Sequence, residues 1–422
     1  MKIILNFGTS ENPNMYQYLL DKDIDKYQIQ DLQIFSHADF ESANGGIGGE
    51  SVSIRLMGKL PYDFLNKANV EPVYVGENRT EYNKKRFEAS LQINKHVIIL
   101  QNCASYTPEH LSSKSFSYGG MHMVSMLPNI AISGVDDIIK LDDSIISKLG
   151  TQKGFVFGNK MTLKELFKYT MNAYSLPYDK IDLSGSKDYE LGEWVKHSGI
   201  SLMKAMIRTI REYGFIISTS AKNGKAMYKL IQYEEFEKEF GRFEWDFNKM
   251  KNYHNLSEAE KKNQIPVDSL APVFNSASFS NIARLVTKGF NQTVLSPQNY
   301  RIDQQFFGFN QNNVSTNTIY VTDKGLLNVS NEAERMRSAI RSSFVDGYKI
   351  DISITDPSAP YYKAGSVVHI KNYDFAYSKE VERNFGISIT KFIIDTNELQ
   401  ITSNSYVQKL KLSPFIPAVK KT

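Results

Sequence analysis

Apolar and polar residues alternate strictly over residues 348–355: Tyr348, Ile350, Ile352 and Ile354 fall on one face, and Lys349, Asp351, Ser353 and Thr355 on the other. A period of two marks a half-buried strand. Pro357 and Pro360 end it, since neither has an N–H to give a ladder. Lys363-Ala364-Gly365 then offers a tight turn into a second strand, Ser366-Val367-Val368-His369-Ile370. Two more strands are predicted over 385–394 and 398–402, the latter continuing toward 406–412. The four form an antiparallel meander wide enough to curl into a barrel-like sheet. Its predicted core is Tyr348, Ile350, Ile352, Ile354, Val368 and Ile370.

Upstream the pattern changes twice. Residues 1–125 read as β-rich, with strands over 27–35 and 51–56 on either side of the cluster Asn44-Gly45-Gly46-Ile47-Gly48-Gly49. That cluster is not a phosphate loop, because Glu50-Ser51 stands where a lysine and hydroxyl are needed and a carboxylate repels phosphate. From 126 to 244 the period is mixed. Thr162-Leu163-Lys164-Glu165 is a capping box, followed at helical spacing by Leu166, Phe167, Met171 and Tyr174. A second helix carries Ile200, Met203, Met206, Ile207 and Ile210 on one face and ends at Gly214. Asn223-Gly224 between two apolar runs then predicts a hairpin.

Residues 232–265 are dense in charge and read as a solvated crossing between domains, while 291–320, rich in Asn, Gln and Ser, read as an irregular loop. A last helix is predicted from an N-cap at Ser330, with Ala333, Met336, Ile340 and Phe344 on its buried face. In it Glu332 and Glu334 come early and Arg341 late, as the helix dipole favours.

Composition narrows the chemistry. A chain of 422 residues, 41% hydrophobic and 23% charged, is expected to fold as several domains. Its 50 basic and 46 acidic residues leave a charge of +4 with both signs interspersed, which argues against tight phosphate neutralisation along a nucleic acid. The one cysteine, Cys103, excludes an intrachain disulfide and follows an apolar run, as a buried residue would. Neither a signal peptide nor a membrane-spanning run is expected. The histidines, including His37, His110, His254 and His369, form no ligand pair, so no metal or cofactor is expected.

One set of short boxes points elsewhere. Ser201-Leu202-Met203-Lys204, Ser315-Thr316-Asn317 and Lys363-Ala364-Gly365 follow the order of the boxes in penicillin-recognising serine acylases. In that alternative Ser201 is the nucleophile and Lys204 its base. The third box lacks its hydroxyl residue, however.

The order of elements resembles the central baseplate hub of contractile-tailed phages of the T-even type, which is similar to the hub part of type VI secretion spike proteins. The resemblance lies in the helix ending Phe344-Val345-Asp346-Gly347-Tyr348, the alternating strand, the elbow Tyr362-Lys363-Ala364-Gly365-Ser366-Val367-Val368 and the long final strands. It implies an α+β, multidomain chain: two antiparallel β-barrel-like tube domains with mixed α/β insertions. The tube domains would span 1–125 and, discontinuously, 245–290 plus 333–412. A middle domain at 126–244, an insertion at 291–332 and a short tail at 413–422 make up the rest. It further implies a non-enzymatic homotrimer in the virion tail baseplate, assembled in the host cytoplasm. Its implied partners are a tail tube or tube-initiator protein, a central spike protein and the surrounding wedge proteins. DNA would pass through its channel without sequence-specific binding. The hub of a phage-derived injection device is the neighbouring alternative. Ile387, Ile389, Leu399 and Ile401 are the expected subunit-edge residues, because the final strands carry little charge.

Overall fold

The computed structural model describes residues 2–9, 16–19, 27–37, 49–58, 87–93, 96–100, 162–173, 187–191, 202–222, 225–261, 264–275, 282–288, 318–322, 329–373, 389–402 and 405–416, together with short pieces elsewhere. The architecture is mixed α/β, with several sheets and few helices. Eight strands of the largest sheet are β1 (Tyr27–His37), β2 (Gly49–Gly58), β3 (Arg242–Asp246), β4 (Ser269–Phe274), β5 (Tyr348–Ile354), β6 (Val367–Lys371), β7 (Lys391–Thr402) and β8 (Tyr406–Pro414). Four helices matter: α1 (Leu163–Ala173), α2 (Leu202–Glu212), α3 (Phe236–Phe240) and α4 (Val329–Gly347).

Among the described residues the largest sheet has 12 strands and runs β4-β5-β8-β7-β1-β2 before continuing into Met121–Val124 and Cys103–Ala104. It stays open rather than closing into a barrel. β7 is its seam. Residues 391–393 pair with β6, and residues 396–402 pair antiparallel with β1, so that Leu399 faces Ile34 and Ile401 faces Leu32. The change of partner falls at a bulge between Ile394 and Thr396, an irregularity that re-aims a strand and ends one pairing. Strands from the two ends of the chain thereby share one sheet.

This corrects two expectations. Asp395-Thr396-Asn397 does not turn between two strands; β7 runs through it, and the turn to β8 comes after Thr402. Turn-forming residues stay extended here because the buried amide nitrogen of Asn397 is paired: it donates to the Tyr362 carbonyl and to Gln408 Oε1. Nor are Leu399 and Ile401 at an edge, since β8 flanks them on one side and β1 on the other. Ile389 lies in the core, 2% exposed, and Ile387 lies outside the described residues.

The alternation over β5 appears as read: Tyr348, Ile350, Ile352 and Ile354 are buried, as are Val368 and Ile370 on β6. The charged segment 232–265 is not a solvated crossing. Tyr233, Phe236, Trp245, Phe247 and Met250 are all buried, because the aromatics recur at helical spacing into α3, and apolar residues then face inward from β3 and from the short helix Phe247–Lys251. α1 begins with the reciprocal capping box: the Thr162 N–H donates to Glu165 at 2.9 Å and the Glu165 N–H to Thr162 Oγ1 at 3.3 Å. The Asn223-Gly224 hairpin is paired in register from Phe215–Gln232 to Lys222–Lys225.

Candidate functional site

On the strands β5, β8, β7 and β1 alternate residues point outward, among them Asp351, Lys409, Glu398 and Gln33, and the outward row continues to Phe35, 43% exposed. The lower part of this face is therefore polar and open. Its upper part is covered: Val367 on β6, Ile393 on β7 and Phe415 after β8 pack against Ile216, Ile231 and Phe236.

Two strands border the C-terminal part of the sheet among the described residues, and each carries a device against further pairing. β4 pairs with β5 alone. Asn275 N–H donates to the Gly347 carbonyl, so by alternation the nitrogen of Pro272 faces away from β5 and its missing N–H costs no ladder bond. β3 pairs with β6 alone and exposes Arg242 and Glu244. Glu244 binds Arg242 and Lys371, each at 2.6 Å. Arg242 also lies 3.0 Å from Nδ1 of His369. An arginine only donates, so that nitrogen is the acceptor and the imidazole is neutral. Burial, then the Arg242 charge, holds its pKa below the ordinary histidine value, in agreement. Proline and alternating charge are the usual protections of an open edge.

A buried ion cluster joins the middle segment to the sheet. On α4, Glu334, Arg337 and Arg341 stand at i, i+3 and i+7, one stripe beside the apolar Met336, Ile340 and Phe344. Glu334 binds Arg337, and lies 3.4 Å from Arg341. Arg341 in turn binds Glu234, lies 4.2 Å over the Tyr233 ring and donates from Nε to the Ile416 carbonyl at 3.3 Å. Tyr233 fastens the same corner, donating to the Pro414 carbonyl and accepting from the Ile416 N–H. Toward α2, Arg335 binds Glu212 at 3.1 Å and Ser338 Oγ donates to the Arg211 carbonyl at 2.8 Å. Gly214, at φ +76°, leaves the room the cluster needs, for a Cβ there would meet Arg341 at 3.2 Å and Glu334 at 3.3 Å. Burial raises the Glu334 pKa above the ordinary glutamate value, with Arg341 and Arg337 opposing.

A second buried polar set fastens the elbow. Gln408 Nε2 donates to the Pro360 carbonyl at 3.1 Å and to the Tyr406 hydroxyl at 2.9 Å, and its Oε1 accepts from the Tyr362 N–H. Ala364 N–H donates to Ser36 Oγ on β1, so the elbow is tied to both ends of the chain.

The acylase residues are not assembled by what is seen. Ser201 and Ser315–Asn317 lie outside the described residues, and Lys204 lies on α2. The third box is a packed turn: Gly365, at φ +92°, has the Phe240 ring 3.0 Å from where a Cβ would sit. Met206 and Ile210 of α2 are buried as expected; the side chain of Met203 is not described. Among the described residues no group of three His, Cys, Asp or Glu could hold a metal, and no helix is long and apolar enough to cross a membrane. The ion cluster was missed by sequence reading, which assigned Glu334 and Arg341 to the helix dipole. Its signal was the stripe of alternating sign next to the apolar one.

No family model matches the chain, and no curated protein matches it in sequence. Solved structures do. The 43 kDa tail protein of prophage MuSo2 from Shewanella oneidensis superposes with a TM-score of 0.53 at 9% identity, covering 98% of each chain. A tail protein from Neisseria meningitidis MC58 gives 0.51 at 8% identity, covering 98% of this chain and 97% of that one. The chain has the fold of phage tail proteins. Because the tail-protein fold is matched from end to end at such low identity, it is the arrangement of elements, not a shared set of side chains, that the three proteins have in common.

Proposed function

We propose that the chain is the structural hub of a phage tail baseplate. In this reading it is a trimeric ring that adapts a sixfold tail tube to a threefold central spike and leaves a channel for the genome. The observation that carries it is the superposition on a prophage tail protein over 98% of both chains. The seam at β7 supports it, because it puts β regions from both ends of one chain into a single sheet. Two such regions per chain and three chains would present six similar units to the tube, and the whole would keep threefold symmetry. The two regions are then the tube domains, with residues 126–244 as the middle domain.

The partners on this reading are the tube or its initiator, the spike and the wedge proteins, and DNA crosses without being read. The role is not enzymatic. The expected result of gold-labelling the chain in purified particles is density at the tube–spike junction of the baseplate. Label along the tube wall or at the head would overturn the reading. A particle that carries the label but no genome would assign the chain to an injection device instead.

A further inference from the structure

We propose that His369 is a proton-operated partner switch on the open border strand β3: neutral, it accepts from Arg242 and holds that guanidinium against the sheet, and protonated, it turns to Glu244 and lets Arg242 go. The switch belongs to the monomer and needs no assembly role.

The register sets its parts side by side. β3 runs parallel to β6, so that Glu244 stands opposite His369 and Arg242 opposite Val367. On the other side of β6, Lys391 of β7 stands opposite the same histidine. Phe243, Trp245, Val368 and Ile370 pack into or against the main core, so the alternation of a strand brings Arg242, Glu244, His369 and Lys371 together on the outward face. The charges that face the ring are Arg242 and Glu244 from β3, Lys371 from its own strand and Lys391 from β7. Lys391 is itself held by Glu237 of α3 at 2.7 Å, and Asp246, further along β3, by Asn372.

Protonation changes what the ring can do. A neutral imidazole offers one nitrogen as acceptor, and Nδ1 lies 3.0 Å from Arg242. Once charged, both nitrogens donate, so the guanidinium finds no acceptor there and meets a like charge instead. Glu244 is the carboxylate facing the ring. Its pKa is held below the ordinary glutamate value, first by the hydrogen bond from Lys371, so it stays ionised while the histidine titrates. With Arg242 in place the His369 pKa lies below the ordinary value, and the departure of Arg242 raises it. The tie is therefore at full strength above the ordinary histidine pKa and is lost as pH falls from there through the lowered one.

The consequence is local. Arg242 is the first residue of β3, and around it the backbone is held by Val367 N–H on the Gly241 carbonyl and by Ser366 Oγ on the Phe240 carbonyl. The far end is anchored by buried Trp245 and by Asp246 N–H on Gln264. Acid thus loosens the first half of this border strand and makes its outward side more positive, while the second half stays in place.

NMR titration of the histidine rings in the full chain, with the His369 signal identified by its loss in His369→Gln, tests the switch. Its midpoint is expected below the ordinary histidine value; Arg242→Gln should raise it and Glu244→Gln should lower it. Hydrogen exchange over residues 242–244, corrected for intrinsic rates and taken relative to β5, should lose about two- to fivefold in protection between about pH 8 and pH 5, the scale of one surface charge contact. In His369→Gln, whose side chain still offers Arg242 an oxygen but takes no charge, that loss should vanish. A midpoint at or above the ordinary value, or one that Arg242→Gln does not raise or Glu244→Gln does not lower, would overturn the switch. So would unchanged protection in the natural chain, or an equal loss in His369→Gln.

Discussion

Arg341 touches Glu334 on its own helix, Glu234 and Tyr233 on the preceding turn, and the backbone of Ile416, all from a position 4% exposed. Its loss and the neutralisation of its partner should therefore differ. Arg341→Leu strands the Glu234 carboxylate and leaves Glu334 with Arg337 as its partner, and is expected to cost about 3–5 kcal/mol in denaturant unfolding. Glu334→Gln removes a charge that burial already disfavours, and should cost much less. The sign of the pH effect follows: a carboxyl whose folded pKa is raised adds stability below the ordinary value and loses it as pH rises through the raised one. The stability of Glu334→Gln should accordingly vary less over that interval than that of the natural chain. Gly214→Ala meets both a left-handed backbone and two side chains within 3.3 Å, and should cost at least about 1–2 kcal/mol. Gln408→Leu leaves the Tyr362 N–H, the Pro360 carbonyl and the Asn397 amide short of a partner, at about 1–3 kcal/mol for each group stranded.

At the scale of elements, what was legible depended on whether a pattern is local. The alternation of Tyr348–Ile354, the Thr162–Glu165 box and the apolar stripe of α2 each declare themselves within one or two turns, and the structure forms an element from each. Met206, fully buried on α2, gives the matching test: Met206→Asp is expected to lower stability by about 3–5 kcal/mol, read as a fall in thermal midpoint. What was not legible depended on distant partners. Nothing near Asp395-Thr396-Asn397 reveals that Tyr362 and Gln408 wait for the Asn397 amide, so a turn was expected where β7 runs on. Likewise the few charges from Leu399 onward were read as an edge awaiting another chain, although the neighbour is β1, more than three hundred residues away in sequence. The charge count over 232–265 hid the aromatic spacing of Tyr233, Phe236 and Phe240 in the same way.

At the scale of the molecule, association has to be sought away from the expected edge residues. Leu399 and Ile401 offer no free edge, while β4 and β3, which border the sheet, are blunted by Pro272 and by alternating charge. Copies of the chain are then not expected to join by simply extending the sheet through β3 or β4. Val273 on β4 is 53% exposed and Phe35 on β1 is 43% exposed, large apolar groups on an otherwise polar outward face. A closed ring around a threefold axis would leave no end unsatisfied. The chain is accordingly expected to form a trimer once its spike is present, and mass photometry of the protein alone and with the spike would measure this. Val273→Glu should then weaken the trimer several-fold without altering thermal unfolding of the dilute monomer, as a charge at an interface but not in a core would do. A stable monomer or a twofold dimer under both conditions would count decisively against the ring.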